Sequence, residues 1–204
     1  MQSLSILALV MMFSLSSCVH IFTKSNTYDT SPTNVVNGAK ISTAINPKGG
    51  KPGLSVSAMV YFVGTAKLEG PFDWRIEAEG VKDQHTSMVV HRLKVETEKT
   101  NRKSWLTKRK LGVTTKFVGY EKEPNKSFAI YKVPGELRVD SEKDGNIVVY
   151  ADITIKTDKK SVRKVVKFNL LAEQNKKERE LIFIPAEIVN SFGEKDPREW
   201  DVQF

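Results

Sequence analysis

From Leu54 to the C-terminus, apolar and polar residues alternate with a period of two. Phe72, Trp74, Ile76 and Ala78 fall on one side, and Asp73, Arg75, Glu77 and Glu79 on the other. Ile147, Val149, Ala151, Ile153 and Ile155 likewise oppose Tyr150, Asp152, Thr154 and Lys156. Residues i and i+2 share a face only in an extended chain, so this pattern buries one face of a strand. Related patterns recur over residues 54–66, 88–97, 113–120, 128–133, 162–171 and 181–184. Turn-forming stretches separate them: Glu-Gly-Pro at 69–71, Pro-Gly at 134–135, Lys-Asp-Gly-Asn at 143–146, Asp-Lys-Lys-Ser at 158–161 and Gln-Asn-Lys-Lys at 174–177. No long helical period competes with them. One short helix is expected over Pro185–Gly193, with proline at its first position and glycine at its C-terminal cap.

The expected fold is all-β: a single antiparallel β-sandwich of about eight strands over residues 54–204. Residues 135–184 read as an antiparallel meander. Trp200, Val202 and Phe204 alternate and suit a last edge strand. A membrane barrel does not fit, because 113–120 and 128–133 are short and carry Lys116 and Lys132.

Residues 18–53 read as a tether. Ser, Thr, Asn, Pro and Gly dominate from Thr23 to Gly53. The alternative is that Ala39–Ile45 adds an edge strand to the domain. Residues 1–23 hold no Asp, Glu, Lys or Arg, and Leu4–Leu15 is strongly apolar. That core is shorter than the roughly 20 residues needed to span a bilayer as a helix.

The chain has one cysteine, Cys18, preceded by Leu15-Ser16-Ser17. This run resembles the signal of bacterial lipoproteins, in which an apolar residue and two small residues precede an invariant cysteine. The resemblance implies that residues 1–17 are a signal peptide and that the Cys18 thiol is alkylated with diacylglycerol. Cleavage before Cys18 then leaves it as the first mature residue, carrying two or three fatty acyl chains such as palmitate. Two or more chains give stable membrane attachment. Val19, in place of the Asp that marks inner-membrane retention in enteric bacteria, implies the outer membrane in a Gram-negative cell. In a Gram-positive cell the same signal implies the outer face of the plasma membrane. With no second thiol there is no internal disulfide, so stability rests on packing.

Catalytic chemistry has few candidates. His85 and His91 are six residues apart, about 20 Å on a straight strand, too far to share a metal. They are expected as exposed strand-edge residues. No nucleophile motif, phosphate-binding glycine loop or metal spacing occurs, so no cofactor is expected. Paired carboxylates that meet only in three dimensions leave a glycan-acting hydrolase open.

The marked feature is charge. The net charge is +8 and the pI near 9.4. Lys99, Arg102, Lys103, Lys108, Arg109 and Lys110 surround Trp105, with no acidic residue from Lys99 to Tyr120. A second basic run, Lys156–Lys167, has six Lys or Arg and one Asp. Lys99, Arg102, Lys103, Trp105, Lys108, Arg109 and Lys110 are therefore the candidate anion contacts. Two readings of the run stay open: a solvated loop that aids solubility, or contact with an anionic partner. The anions of an envelope are lipid head groups, lipopolysaccharide, cell-wall polymers and acidic proteins, and nucleic acid is not expected there. The functional expectation is a non-enzymatic, lipid-anchored binding module. The alternatives are a lipid or glycolipid carrier and a glycan-acting envelope enzyme.

Overall fold

A computed structural model describes residues 18–29, 33–58, 61–106, 111–183, 196–198 and 200. They form eleven strands and no helix. In chain order these are β1 (Cys18–Asp29), β2 (Asn34–Val36), β3 (Ala39–Ala58), β4 (Tyr61–Val81), β5 (His85–Thr97), β6 (Lys103–Trp105), β7 (Thr114–Lys116), β8 (Val118–Gly119), β9 (Lys126–Lys132), β10 (Ile147–Thr157) and β11 (Ser161–Phe183). The strands join in one continuous sheet ordered β2-β3-β4-β1-β11-β10-β5-β6, with β7 on β5, and β9 on β4 carrying β8. The all-β class expected from the alternation is the one present.

β11 is the hinge of the architecture. Ser161–Leu170 runs antiparallel to β10, and from Leu171 to Phe183 the same strand runs antiparallel to β1. β1 also pairs in parallel with the start of β4. Both halves of the sheet feed one core: Ile41, Phe72, Trp74 and Ile76 from one, Leu93, Val95, Ile147, Ile153, Phe168 and Leu170 from the other. Each fully buried aliphatic or aromatic side chain contributes roughly 1.5–3 kcal/mol. The cluster is thus the main source of stability for a chain with no disulfide.

The alternation on β5 changes parity midway. Asp152 pairs with Arg92 and Ile153 with Val90, so His91 is an extra residue in β5. Met88 and Val90 face the core before this bulge, and Leu93 and Val95 after it. A bulge of one residue flips every later side chain to the opposite face, which puts Arg92, Lys94 and Glu96 outside.

Several expectations need correction. Residues 18–53 are not a free tether within the described part, because β1, β2 and most of β3 occupy them. Tyr28, Val36, Ala39 and Ile41 are buried in the core, which is reason enough for those segments to order. The strand expected at Ala39–Ile45 is the first part of β3. Glu69-Gly70-Pro71 is not a turn between strands but a register slip inside β4: Pro47 pairs with Phe72 and Gly49 with Glu69. Gln174–Lys177 is also interior to a strand, β11. The expected 54–66 strand is instead the end of β3 and the start of β4. The 113–120 segment is two short strands, β7 and β8. The signal segment 1–17 and the helix expected at Pro185–Gly193 lie outside the described residues. Trp200 sits in a turn with its ring 4.1 Å from the Arg75 guanidinium, and residues 201–204 of the expected last strand lie outside the described residues.

Candidate functional site

The outward face of β6, β5, β10 and β11 carries one cross-strand row. Trp105 pairs with Lys94, Lys94 with Tyr150, and Tyr150 with Lys167. Directly paired residues share a face, so the row alternates aromatic, cation, aromatic, cation. Lys94 Nζ lies 5.2 Å from the centre of the Trp105 ring and 5.3 Å from that of Tyr150, within the range of cation–π attraction. Trp105 is 62% exposed and Val165, one row along, 61%. These two side chains give the face exposed apolar surface beside its cations.

Around the row the charges are organised. Glu96 accepts hydrogen bonds from Lys94 and Tyr150 and sits 3.9 Å from Lys103. The bond from Lys94 is the main reason its carboxyl is held below the usual carboxylate range. Arg163 donates from Nε and a terminal nitrogen to the two oxygens of Asp152 at 2.8 and 2.7 Å. That fork lowers the Asp152 pKa and fixes both side chains. Arg92, Lys94, Trp105, Tyr150, Asp152 and Val165 line a shallow cleft of about 280 Å³. Five cations (Arg92, Lys94, Lys103, Arg163, Lys167) face two carboxylates, so the face is electropositive. Chemically it offers ring faces for stacking and ammonium groups for an anion.

The described members of the basic run Lys99–Lys110 do not form one patch. Arg102 turns away and donates to Asp144 Oδ2 and to the Arg138 carbonyl, both at 2.9 Å. Lys99 Nζ donates to the Glu142 carbonyl at 3.1 Å. Lys103 lies beside Glu96, and Trp105 alone among the described members projects into the cleft. Lys108, Arg109 and Lys110 lie outside the described residues. Tyr150, Lys94 and Arg92 escape a reading by sequence runs, and Lys167 is marked only within the second basic run, because the four sit on three strands and meet only through register. The signal available was the polar face of each strand read together.

Asp140 and Asp144 are committed to a loop. Asp144 is buried, and its oxygens accept from the Thr100 hydroxyl at 2.7 Å, Arg102 and the Asp140 amide. Asp140 Oδ1 accepts from the amides of Glu142 and Lys143. These bonds close the 140–146 turn, with Gly145 at φ +67°, and engage both carboxylates. The Tyr28 hydroxyl sits beneath, its pKa pushed up by burial first and then by Asp144 and Asp140.

The two histidines differ from expectation. His85 is buried, not exposed. Its Nδ1 accepts from the Val81 amide at 3.0 Å, which leaves Nε2 to donate to the Asn37 carbonyl at 3.1 Å. It thereby ties the β2–β3, β4–β5 and β10–β11 turns together, since Asn37 in turn donates to the carbonyls of Ile155 and Lys160. His91 bonds Thr154 Oγ1 at 2.7 Å, and its pKa is lowered by burial first and by Arg163 next. Among the described residues no cluster of His, Cys, Asp and Glu is arranged to hold a metal.

No family model matches the chain, and no curated protein does. One solved structure, the X-ray structure of Northeast Structural Genomics Consortium target SoR45, aligns with 68% of this chain and 84% of its own at 10% identity, with a TM-score of 0.27.

Proposed function

We propose that this chain is a lipid-anchored, non-enzymatic binding protein of the bacterial cell envelope. Its ligand would be an anionic, ring-bearing envelope polymer held on the outward face of β5, β6, β10 and β11. The observation that carries this reading is the Trp105–Lys94–Tyr150–Lys167 row. Aromatic faces suit the apolar face of a sugar ring, and the flanking ammonium groups suit its carboxylates or phosphates. Among the described residues of the basic run, Lys103 and Trp105 lie on this face, so the proposed anion contact centres on the sheet face. The anchor rests on the Leu15-Ser16-Ser17-Cys18 sequence. The two halves of the sheet, meeting over one core, suit the two layers of a sandwich.

The test is retention on an immobilised uronic-acid polysaccharide and on neutral dextran. The wild type should bind the acidic matrix and be released by salt near 0.5 M, where the Debye length falls to about 4–5 Å. Trp105→Ala and Lys94→Gln should each weaken binding about tenfold without moving the melting temperature. Retention of both variants at wild-type strength would reduce this face to a solvated one.

A further inference from the structure

The Trp105–Lys94–Tyr150–Lys167 row has a spacing as well as a composition. Its members pair directly, one on each of the adjacent strands β6, β5, β10 and β11. Neighbouring strands lie about 4.8 Å apart, so the two aromatic rungs are about 10 Å apart, and so are the two cationic ones. Lys94 Nζ stands between the rings, 5.2 Å from the centre of Trp105 and 5.3 Å from that of Tyr150, in keeping with that interval. In an extended β-linked polysaccharide each sugar ring advances the chain by about one such strand spacing, and a disaccharide by about two.

The alternation of aromatic and cation exists only across the strands. Along β5 the outward residues are Arg92, Lys94 and Glu96, two cations and a carboxylate. Along β10 they are Val148, Tyr150 and Asp152. Same-face residues of one strand are also about 7 Å apart, a step that matches neither one sugar ring nor two. Charge selects in the same way. The face of an aromatic ring carries the negative part of its quadrupole, so Trp105 and Tyr150 suit an uncharged sugar and disfavour a carboxylate. The rungs between and beyond them keep a positive balance. Glu96 bonds Lys94, but Lys103 lies 3.9 Å from that same carboxylate, and Lys167 is exposed at the β11 end.

We infer that the row is a four-ring subsite for a polysaccharide in which uncharged and carboxylate-bearing sugars alternate, lying across the strands. Its uncharged rings stack on Trp105 and Tyr150, and its acidic rings meet Lys94 and Lys167. This rests on the binding reading above and deepens it, from an acidic polymer to one with a disaccharide repeat. A polymer charged on every ring sets two carboxylates against aromatic faces. A neutral polymer leaves the two cationic rungs unused. The repeat that matches all four rungs carries its charge on every second ring.

The experiment uses the full chain in a neutral detergent, immobilised on a sensor surface. The probes are three β-linked tetrasaccharides: from hyaluronan, charged on alternate rings; from polyglucuronate, charged on every ring; and cellotetraose, uncharged. The hyaluronan tetrasaccharide should bind about tenfold tighter than the polyglucuronate one, which loses its stacking at two aromatic rungs. Cellotetraose should bind more weakly than the hyaluronan tetrasaccharide. Lys167→Gln should lower the affinity for the hyaluronan tetrasaccharide about fivefold, the upper range for an exposed ion pair. The hyaluronan disaccharide covers two rungs and has Trp105 and Lys94 still available, so the same variant should change its binding by less than about twofold. Arg92→Gln removes a cation from the strand of Lys94 but not from the row, and should cost the tetrasaccharide less than about twofold. Melting temperatures confirm that both variants fold. Polyglucuronate binding as tightly as hyaluronan would overturn the inference and leave the acidic-polymer reading standing. Equal losses from Lys167→Gln and Arg92→Gln would overturn the course across the strands. Cellotetraose binding as tightly as hyaluronan, or binding of none of the three, would remove the inference and the reading beneath it together.

Discussion

The Arg102 guanidinium crosses 42 residues of sequence to meet the buried carboxylate of Asp144 at 2.9 Å. The two ends of this bond are unequal. Asp144 also holds the Thr100 hydroxyl and the Asp140 amide, whereas Arg102 is about half exposed and has water as an alternative partner. Asp144→Ala should therefore cost about 2–3 kcal/mol, because it strands several donors at once. Arg102→Ala should cost about 1 kcal/mol or less. Urea unfolding of the two variants measures the difference; equal losses would show that the loop is not organised around Asp144.

Acid should weaken the fold in two steps. His91 has its pKa pushed down in the folded state, so the unfolded chain binds that proton more readily. Stability then declines as pH falls below about 6.5, the unfolded value. Asp152 has its pKa lowered chiefly by Arg163. Its contribution is present above about 3.9 and is lost as pH falls through the folded value. Arg163→Ala should flatten the acid limb of a melting-temperature profile between pH 5 and about pH 2 and should shrink, without abolishing, the His91 step below neutrality, because burial is the first cause of that shift and Arg163 the second. An unchanged acid limb would mean that the fork adds nothing to stability.

Gly80 is a packing position. A Cβ built there stands 2.6 Å from the His85 ring and 2.9 Å from that of Phe117. Gly80→Ala should displace His85 and loosen the three turns it ties, at about 1–3 kcal/mol. Faster hydrogen exchange at the Val81 amide, whose acceptor is His85 Nδ1, is the specific readout. A melting loss without that change would assign the effect to Phe117 alone.

Cys18→Ala should abolish fatty-acid labelling and leave the chain either released from membranes or as an unprocessed precursor. Labelling of the variant at wild-type level would remove the lipoprotein reading.

The strands of the core were legible because each buries one face: β10, the first half of β11 and the second half of β4 alternate with few exceptions, such as the exposed Val165 and the buried Arg75. What the alternation could not convey is where a strand continues through turn-like residues. Gly70-Pro71 and Asn175-Lys176 have the chemistry of turns, yet register on β3 and β1 carries β4 and β11 through them. Composition also misled at Asn37-Gly38. It lies in a Ser/Thr/Asn-rich stretch, but both residues adopt positive φ, 50° and 85°, and make the tight β2–β3 turn. The parity change at His91 hid Lys94 and Arg92 as members of one face with Tyr150, because a bulge is visible only in the pairing. Trp105 and Lys103 were the members of the candidate site that the basic run marked in advance.

The placement of β1 has a mechanical consequence. Its first residue, Cys18, is the proposed point of attachment, its far end enters the core at Tyr28, and it is flanked on both sides, parallel by β4 and antiparallel by β11. A pull on Cys18 acts along the strand axis, at right angles to most of the hydrogen bonds that hold β1. The bonds are thus loaded together in shear and do not open one after another from an end. A protein tethered through this strand would resist being dragged by its anchor, and yield more readily to a force applied across the same strands.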